Sequence, residues 1–273
     1  MTISSDKLPT LTEVKPLAAA QIQEFRTLGH TLTRGVLAPA EVAAYRPVIE
    51  QAADRYNTEA RPLAARDTYG KAFLQIMNLW RADEDVRRFV LARRFAQLAA
   101  DLLGVENVRI YHDQALFKEP GGGPTPWHQD QYYWPVDTTN TITMWMPLVD
   151  IDVAMGMLTF ASGSHRQGEV FDYEISDDSA AAYEDYVRAR GFPIAQAATM
   201  RAGDATWHYG NTIHQAPGNA SAQMREVMTI IYVADGARVV APAHKWQHND
   251  HAKWLRHLPA GELVASDLNP LVL

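Results

Sequence analysis

The 273-residue sequence contains no cysteine. That excludes disulfides, a thiolate metal site and a cysteine nucleophile. It has no apolar run near the roughly 18 residues that span a bilayer. The first residues, Met1 to Thr10, are polar and carry no apolar signal core. Positive charge is in short supply: 25 Lys and Arg face 32 Asp and Glu, for a formal net charge of −7. Such a chain has no electrostatic reason to seek phosphate backbones or anionic lipid. Neither nucleic acid nor a membrane is therefore expected as a partner, and a cytoplasmic protein, a monomer or weak homo-oligomer, is expected. No internal repeat or low-complexity linker divides the chain, so one domain over residues 1–273 is expected.

What is present is enough apolar matter, 47% of residues, for a sizeable core. Leu17 to Leu28 places Ile22, Phe25 and Leu28 at helical spacing. Pro39 suits the first turn of a second helix through Val42, Tyr45, Val48, Ile49 and Ala52, and Pro47 inside it predicts a kink or break. Asp83–Ala92 and Phe95–Leu103 read as two more helices, the last capped by Gly104. After Gly104 the texture turns to short β-forming runs between Gly, Pro and Asp turns. They lie at Val108–Phe117, Thr141–Val149, Met157–Ala161, Ala198–Arg201, Asp204–His208 and Glu226–Ala234. This pattern predicts a mainly β fold, a sandwich or jelly roll over about 105–235. A helical part, about 16–104, would pack on its outside, with an extension over 236–273. Residues 170–193, acidic and rich in Ala and Tyr, read as a surface helix in preference to a flap over a site.

The chemistry concentrates at Trp127-His128-Gln129-Asp130, directly after the loop Gly121 to Pro126. On an extended segment His128 and Asp130 point to one face. With a distant histidine they would complete a 2-His-1-carboxylate triad, which holds non-haem Fe(II) and leaves positions open for co-substrate and O₂. The candidate third ligand is His214. Arg225 follows eleven residues later, after a turn at Ala216 to Ser221. If His214 ends one strand and Arg225 begins the next, a hairpin brings the guanidinium beside the metal, where its planar fork suits a carboxylate. His208 is the competing ligand, six residues before His214. His112 has no partner at ligand spacing, and His165 reads as part of a turn. His244, His248, His251 and His257 read as structural, in a segment packing on the barrel through Trp246, Trp254 and Leu258. Trp127, Tyr132, Tyr133 and Trp134 are candidates for an apolar, aromatic substrate pocket. Lys118, Arg166 and Arg188 are basic but read as solvated surface charges.

With these residues in view, the chain resembles the phytanoyl-CoA dioxygenase family of Fe(II)/2-oxoglutarate-dependent oxygenases. The resemblance rests on Phe117-Lys-Glu-Pro-Gly121, Trp127-His-Gln-Asp130, Trp145-Met-Pro-Leu148, the Gly-Ser-His165 turn, Gly203-Asp204, and His214 with Asn219, Ser221 and Arg225. It implies a double-stranded β-helix (cupin-like jelly roll), with iron on His128, Asp130 and His214. It further implies that Arg225 binds the far carboxylate of 2-oxoglutarate, that Trp145 lies near that co-substrate, and that Lys71 stands where some members use a lysine. Family members often carry a serine two residues after the distal histidine; here that residue is Ala216, and Thr141, Thr143 or Ser221 would have to substitute. The implied reaction consumes 2-oxoglutarate and O₂, releases succinate and CO₂, and oxidises a C–H bond, most simply by hydroxylation. Asp130 disfavours halogenation, which needs that ligand position free. The same triad also serves desaturation, cyclisation and epimerisation. A small, largely apolar or polycyclic substrate is expected, as in the tailoring of a secondary metabolite. The rivals are a cupin-like oxygenase that uses no 2-oxoglutarate and a catalytically silent jelly-roll binding protein.

Overall fold

The computed structural model describes residues 8–170 and 177–273. Helices dominate the first part: α1 (Ala19–Leu28), α2 (Pro39–Tyr56), α3 (Thr68–Ala72), α4 (Leu79–Ala82), α5 (Glu84–Val90) and α6 (Arg93–Leu103), with β1 (His30–Thr33) and β2 (Leu74–Met77) between them. The rest is mostly sheet: β3 (Val108–Phe117), β4 (Thr125–His128), β5 (Thr141–Pro147), β6 (Ile151–Asp152), β7 (Thr159–Ala161), β8 (Ile194–Gln196), β9 (Thr199–Met200), β10 (Ala205–Tyr209), β11 (His214–Ala216) and β12 (Val227–Ala234). Two helices complete it, α7 (Asp177–Arg190) and α8 (Lys245–Trp254).

Local chemistry accounts for several boundaries. Pro39 stands in the first turn of α2, where its missing N–H costs nothing. Glu41 accepts the Ala38 N–H at 2.8 Å, and Arg94 of α6 grips the same carboxylate at 2.7 and 2.9 Å, locking the two helices together. The expected break at Pro47 does not occur: α2 runs on to Tyr56 because Val42, Tyr45, Ile49 and Ala52 are all held in the core. Gly104 adopts φ 75° and caps α6, as its residue type allows. β5 stops at Pro147, earlier than the β-rich run predicts, since proline cannot continue the ladder. The short β1 and β2 carry too few residues for a sequence signal, and they form by pairing with β10 and β3.

Among the described residues ten strands build two facing sheets, and β6 and β9 pair separately. The larger has the order β1-β10-β5-β12-β3-β2, the smaller β4-β11-β7-β8, and both are antiparallel throughout. Period-two alternation divides the large sheet into two faces. Ile110, Ala115, Ile142, Met144, Trp207, Met228 and Ile230 turn outward and form one core with Phe25, Ile49, Phe89 and Leu102 of the helices. Thr143, Trp145, His208 and Thr229 turn inward toward the cavity between the sheets. The small sheet is covered on its outside by α7, where Tyr183 and Val187 pack with Trp127, Ala161 and Ile213. The segment that sequence left between helix and flap is thus a helix on the outer face of the small sheet, and none of its described residues lines the cavity. Residues 171–176 lie outside the described residues. This layering, helices on a jelly-roll core, is the mainly β architecture with flanking helices that the strand pattern predicts. Among the described residues no helix is long and apolar enough to cross a membrane.

Candidate metal centre and the cavity around it

β4 ends at His128, so Asp130 is not on a strand as the spacing argument assumed; it opens a short 3-10 turn. The geometry survives because Gln129 is still extended, with φ −120° and ψ 132°. Its side chain points away from the cavity and donates to the carbonyls of Asn211 and Gly168 at 2.7 and 2.8 Å. His128 and Asp130 are left on the opposite, inward side. His214 begins β11 and pairs directly across from His128, which brings the ring centroids to 4.2 Å. One donor atom from each of His128, Asp130 and His214 lies within 4.8 Å of the others.

The hydrogen bonding determines what those atoms are. His128 Nδ1 faces the Pro126 carbonyl at 2.8 Å, and His214 Nδ1 faces the Thr212 carbonyl at 2.9 Å. A carbonyl only accepts, so each Nδ1 carries the hydrogen and each Nε2 a lone pair. Burial, then the neighbouring His128 and His208, hold the pKa of His214 well below the usual histidine value, so its ring is neutral. Both Nε2 atoms converge on Asp130 Oδ1, at 3.5 Å from His128 and 3.8 Å from His214. Two ring nitrogens and a carboxylate oxygen converging in this way are a donor set for a cation. The set, two imidazoles and one carboxylate on one side, suits Fe(II), and the carbonyls behind the rings are the outer support that such ligands need. The other carboxylate oxygen, Oδ2, accepts from Thr143 Oγ1 at 2.9 Å and from His208 Nε2 at 3.2 Å. His208 is therefore placed to restrain Asp130. It lies on β10, in the other sheet, and not on one strand with His214.

The cavity at this centre has a volume of about 580 Å³. Arg225, Trp145, Ala216, Leu158 and Thr125 line it together with the triad. Arg225 does not return on a hairpin with β11. It precedes β12 and pairs with Lys118 in the large sheet, so the chain crosses between sheets after His214. The guanidinium is 1% exposed and centred 5.3 Å from the Trp145 ring. Nη1 donates to the Gly156 carbonyl at 2.6 Å, Nε has no partner, and no carboxylate pairs with it among the described residues. Burial lowers its pKa to about 9. Lys118 is fully buried beside it and donates from Nζ to the Gly123 carbonyl. Burial, and then Arg225, lower the Lys118 pKa to about 6. The expectation that Lys118 is a solvated surface charge is thus overturned. The signal was available: the alternation that turns Gln114 and Leu116 inward on β3 continues to Lys118.

Other expected residues scatter. Tyr133 and Trp134 line the cavity, whereas Trp127 packs under α7 and Tyr132 stacks on His244 at 4.2 Å. Lys71 is not in the lining; its carbonyl accepts the Gly123 N–H at 2.7 Å. Of the hydroxyls offered in place of the family serine, Thr141 donates to Gln131, Thr143 to Asp130, and Ser221 to Asn219. Thr125, directly across β11 from Ala216, lines the cavity instead. His112, set aside on sequence, also lines the cavity. A bulge in β3 opposite Ile231 and Tyr232 turns two successive residues to the same side, His112 into the cavity lining and Tyr111 into a cluster with Trp134 and Ile231.

The comparisons with known proteins agree with this geometry. The family model for phytanoyl-CoA dioxygenase matches residues 25–227. A probable alpha-ketoglutarate-dependent hypophosphite dioxygenase of Stutzerimonas stutzeri is 27% identical over 152 residues, 54% of this chain and 52% of that protein. A phytanoyl-CoA dioxygenase of Arabidopsis thaliana is also 27% identical, over 55% of this chain and 53% of its own length. The match thus spans about half the length of these curated relatives. Among solved structures, the non-heme alpha ketoglutarate dependent carbocyclase SnoK from nogalamycin biosynthesis superposes with a TM-score of 0.76 at 26% identity, covering 94% of this chain and 97% of its own. The epimerase SnoN, in complex with Fe3+, alpha ketoglutarate and nogalamycin RO, gives a TM-score of 0.75 at 25% identity, covering 93% and 98%. With its jelly-roll core, inward-facing His-Asp-His centre and the family match over most of its length, this chain belongs to the phytanoyl-CoA dioxygenase family.

Proposed function

We propose that the chain is an Fe(II)/2-oxoglutarate-dependent dioxygenase that hydroxylates a small, largely apolar organic molecule. The observation that carries this reading is one cavity holding both a three-donor candidate metal centre and a buried arginine with no carboxylate partner among the described residues. A guanidinium without a counter-ion is costly to bury, so its presence beside a metal centre points to an anionic ligand taken from solution. 2-Oxoglutarate has the required form, a chelating keto-acid at one end and a free carboxylate at the other. With 2-oxoglutarate and O₂ present, the bound iron supplies the oxidant for a C–H bond.

The protein's own groups bind and orient. His128 and His214 present Nε2 lone pairs, held in place by the carbonyls of Pro126 and Thr212. Asp130 presents Oδ1, while Thr143 and His208 restrain Oδ2. Arg225, stacked against Trp145, takes the far carboxylate, and the Thr125 hydroxyl supplies the bond that Ala216 cannot. The aromatic walls keep water from the reacting carbon. Two neighbours favour a second outcome on the same site, cyclisation or epimerisation, since the solved structures similar to this chain include a carbocyclase and an epimerase. They also support a role in secondary-metabolite tailoring. A cytoplasmic setting suits a centre that needs reduced iron. A monomer or weak homo-oligomer fits the scattered positions of exposed apolar residues such as Val153, Ile194 and Leu271.

The test is conversion of 2-oxoglutarate to succinate by iron-loaded protein. His128→Ala should abolish it, and a silent binding protein would show none in the wild type. Arg225→Ala should raise the 2-oxoglutarate concentration needed for half-maximal rate by about 10- to 100-fold, as loss of a charge-assisted pair implies. An unchanged requirement would favour an oxygenase that uses no 2-oxoglutarate.

A further inference from the structure

The family match ends at residue 227, yet the cavity does not. Its far wall is α8, which sends Trp246, Asn249, Asp250, Lys253 and Trp254 into the lining. These residues recur at three- and four-residue steps, so they form one helical face. The helix is firmly seated. Gln247 is buried and donates to the Tyr132 carbonyl at 3.3 Å, Leu255 is fully buried, and Trp254 packs against the ring of His112 with centroids 5.4 Å apart.

Aromatic rings are prominent in the cavity lining, Tyr69, Phe73, Tyr133, Trp134, Trp246 and Trp254, and Tyr133 lies against Trp246 of α8 with centroids 6.4 Å apart. Among the polar groups that line it with them, Asp250 and His112 have hydrogen-bonding capacity to spare. Asp250 Oδ2 accepts from the Tyr111 hydroxyl at 3.4 Å, and Trp254 donates to the same carboxyl. A carboxylate accommodates about four such bonds, so it remains open to another donor. His112 is 3% exposed, and its Nδ1 is buried without a partner among the described residues. The Gln75 amide, by contrast, is engaged on both sides: it donates to Gln114 Oε1 at 2.6 Å and accepts from the Tyr69 hydroxyl at 3.3 Å. The apolar surround pushes the Asp250 carboxyl up to about 7, against the pull of Lys253 one turn on, which makes an incoming donor favourable.

We propose that α8 is the substrate-recognition wall, where Asp250 receives a hydroxyl or ammonium group on an aromatic-bodied substrate whose reacting carbon lies toward the His128-Asp130-His214 end. The aromatic rings take the flat body of the molecule, and the acceptor pair Asp250 and His112 fixes which way round it enters. This rests on the oxygenase reading of the cavity. It deepens that reading by assigning specificity to a helix beyond the family match.

Three probes with one aromatic body test it: 2-naphthol, 2-(aminomethyl)naphthalene and 2-methylnaphthalene. Their binding is measured by equilibrium dialysis against protein loaded with Fe(II) and 2-oxoglutarate under nitrogen. At least one donor-bearing probe should bind the wild type about ten-fold more tightly than the methyl analogue, which corresponds to about 1.4 kcal/mol. Asp250→Leu should erase that preference while leaving 2-methylnaphthalene binding within about three-fold. Asp250→Asn, which keeps the shape and an accepting oxygen, separates the two donors: hydroxyl preference should persist and ammonium preference should fall. Equal binding of all three probes to the wild type, or an undiminished preference in Asp250→Leu protein with native circular dichroism, overturns the proposal. Succinate release by the wild type without substrate is measured in parallel. Its absence from the wild type would defeat the oxygenase reading, and the dialysis would still decide the role of α8.

Discussion

Lys118 shows how a single buried charge ties the site to stability. Its ammonium has a carbonyl, Gly123, and an aromatic ring, Phe73, as neighbours, with a second cation close by. Burial lowers its pKa from 10.5 to about 6. Between those values the unfolded chain holds a proton that the folded chain has released. Stability therefore rises with pH across this window and is lowest below about 6. In Lys118→Met protein this contribution is gone, so the melting temperature of metal-free protein should climb less between pH 6.5 and pH 9 than in the wild type. Parallel curves for the two proteins would show that Lys118 is not desolvated. The same lysine is available to take up a proton when an anion enters beside Arg225, which a neutral side chain cannot do.

At the level of elements, Asp113 couples the large sheet to the helices that cover it. It lies on β3, is fully buried, and its two oxygens accept the Leu79 and Trp80 N–H groups at 3.1 and 3.3 Å. These are N–H groups of the first turn of α4, which have no partner within the helix. Asn78, in the left-handed region at φ 52°, turns the chain into that position. Asp113→Ala would leave both donors buried and unpaired, at a cost of about 1–3 kcal/mol each. Urea unfolding should show a loss of that order, with Asp113→Asn recovering part of it because one accepting oxygen remains. A loss below about 0.5 kcal/mol would mean that the start of α4 finds other partners. The sheet position matters for the site too, since the next inward residues on β3, His112 and Gln114, line the cavity.

Over the whole molecule, the candidate metal centre lies where the two sheets meet. His128 and His214 come from the small sheet, Asp130 from the turn after β4, and His208 and Thr143 from the large sheet. A ligand that binds only the folded arrangement stabilises it by mass action, about 2.7 kcal/mol at a hundred times its dissociation constant. For a chain of this size each kcal/mol shifts the melting temperature by roughly 2–4 °C. Manganese(II) with 2-oxoglutarate, a redox-quiet substitute for the iron pair, should therefore raise the melting point by roughly 5–10 °C. A chelator should reverse the shift, and His128→Ala protein should not show it. A shift of equal size in that variant would place the metal elsewhere.

The sequence by itself determined the local parts. The helical periodicity before Gly104, the β-rich runs after it, the Gly/Pro loop and the close spacing of His128 and Asp130 are all near-neighbour properties, fixed by dihedral preference and side-chain period. They suffice for a jelly roll with flanking helices and for half of a metal site, and the family resemblance extends that to His214 and Arg225. Tertiary structure decided what depends on two sheets stacking face to face. Only the fold showed that His208 reaches Asp130 from the opposite sheet, that Lys118 is buried against Arg225, and that Trp127 and Tyr132 pack away from the cavity. Only the fold brings α8 back against the cavity, with Asp250 and His112 in its lining. These contacts join residues far apart in the chain. Burial of apolar surface sets their geometry, and no local pattern encodes which buried surfaces will meet.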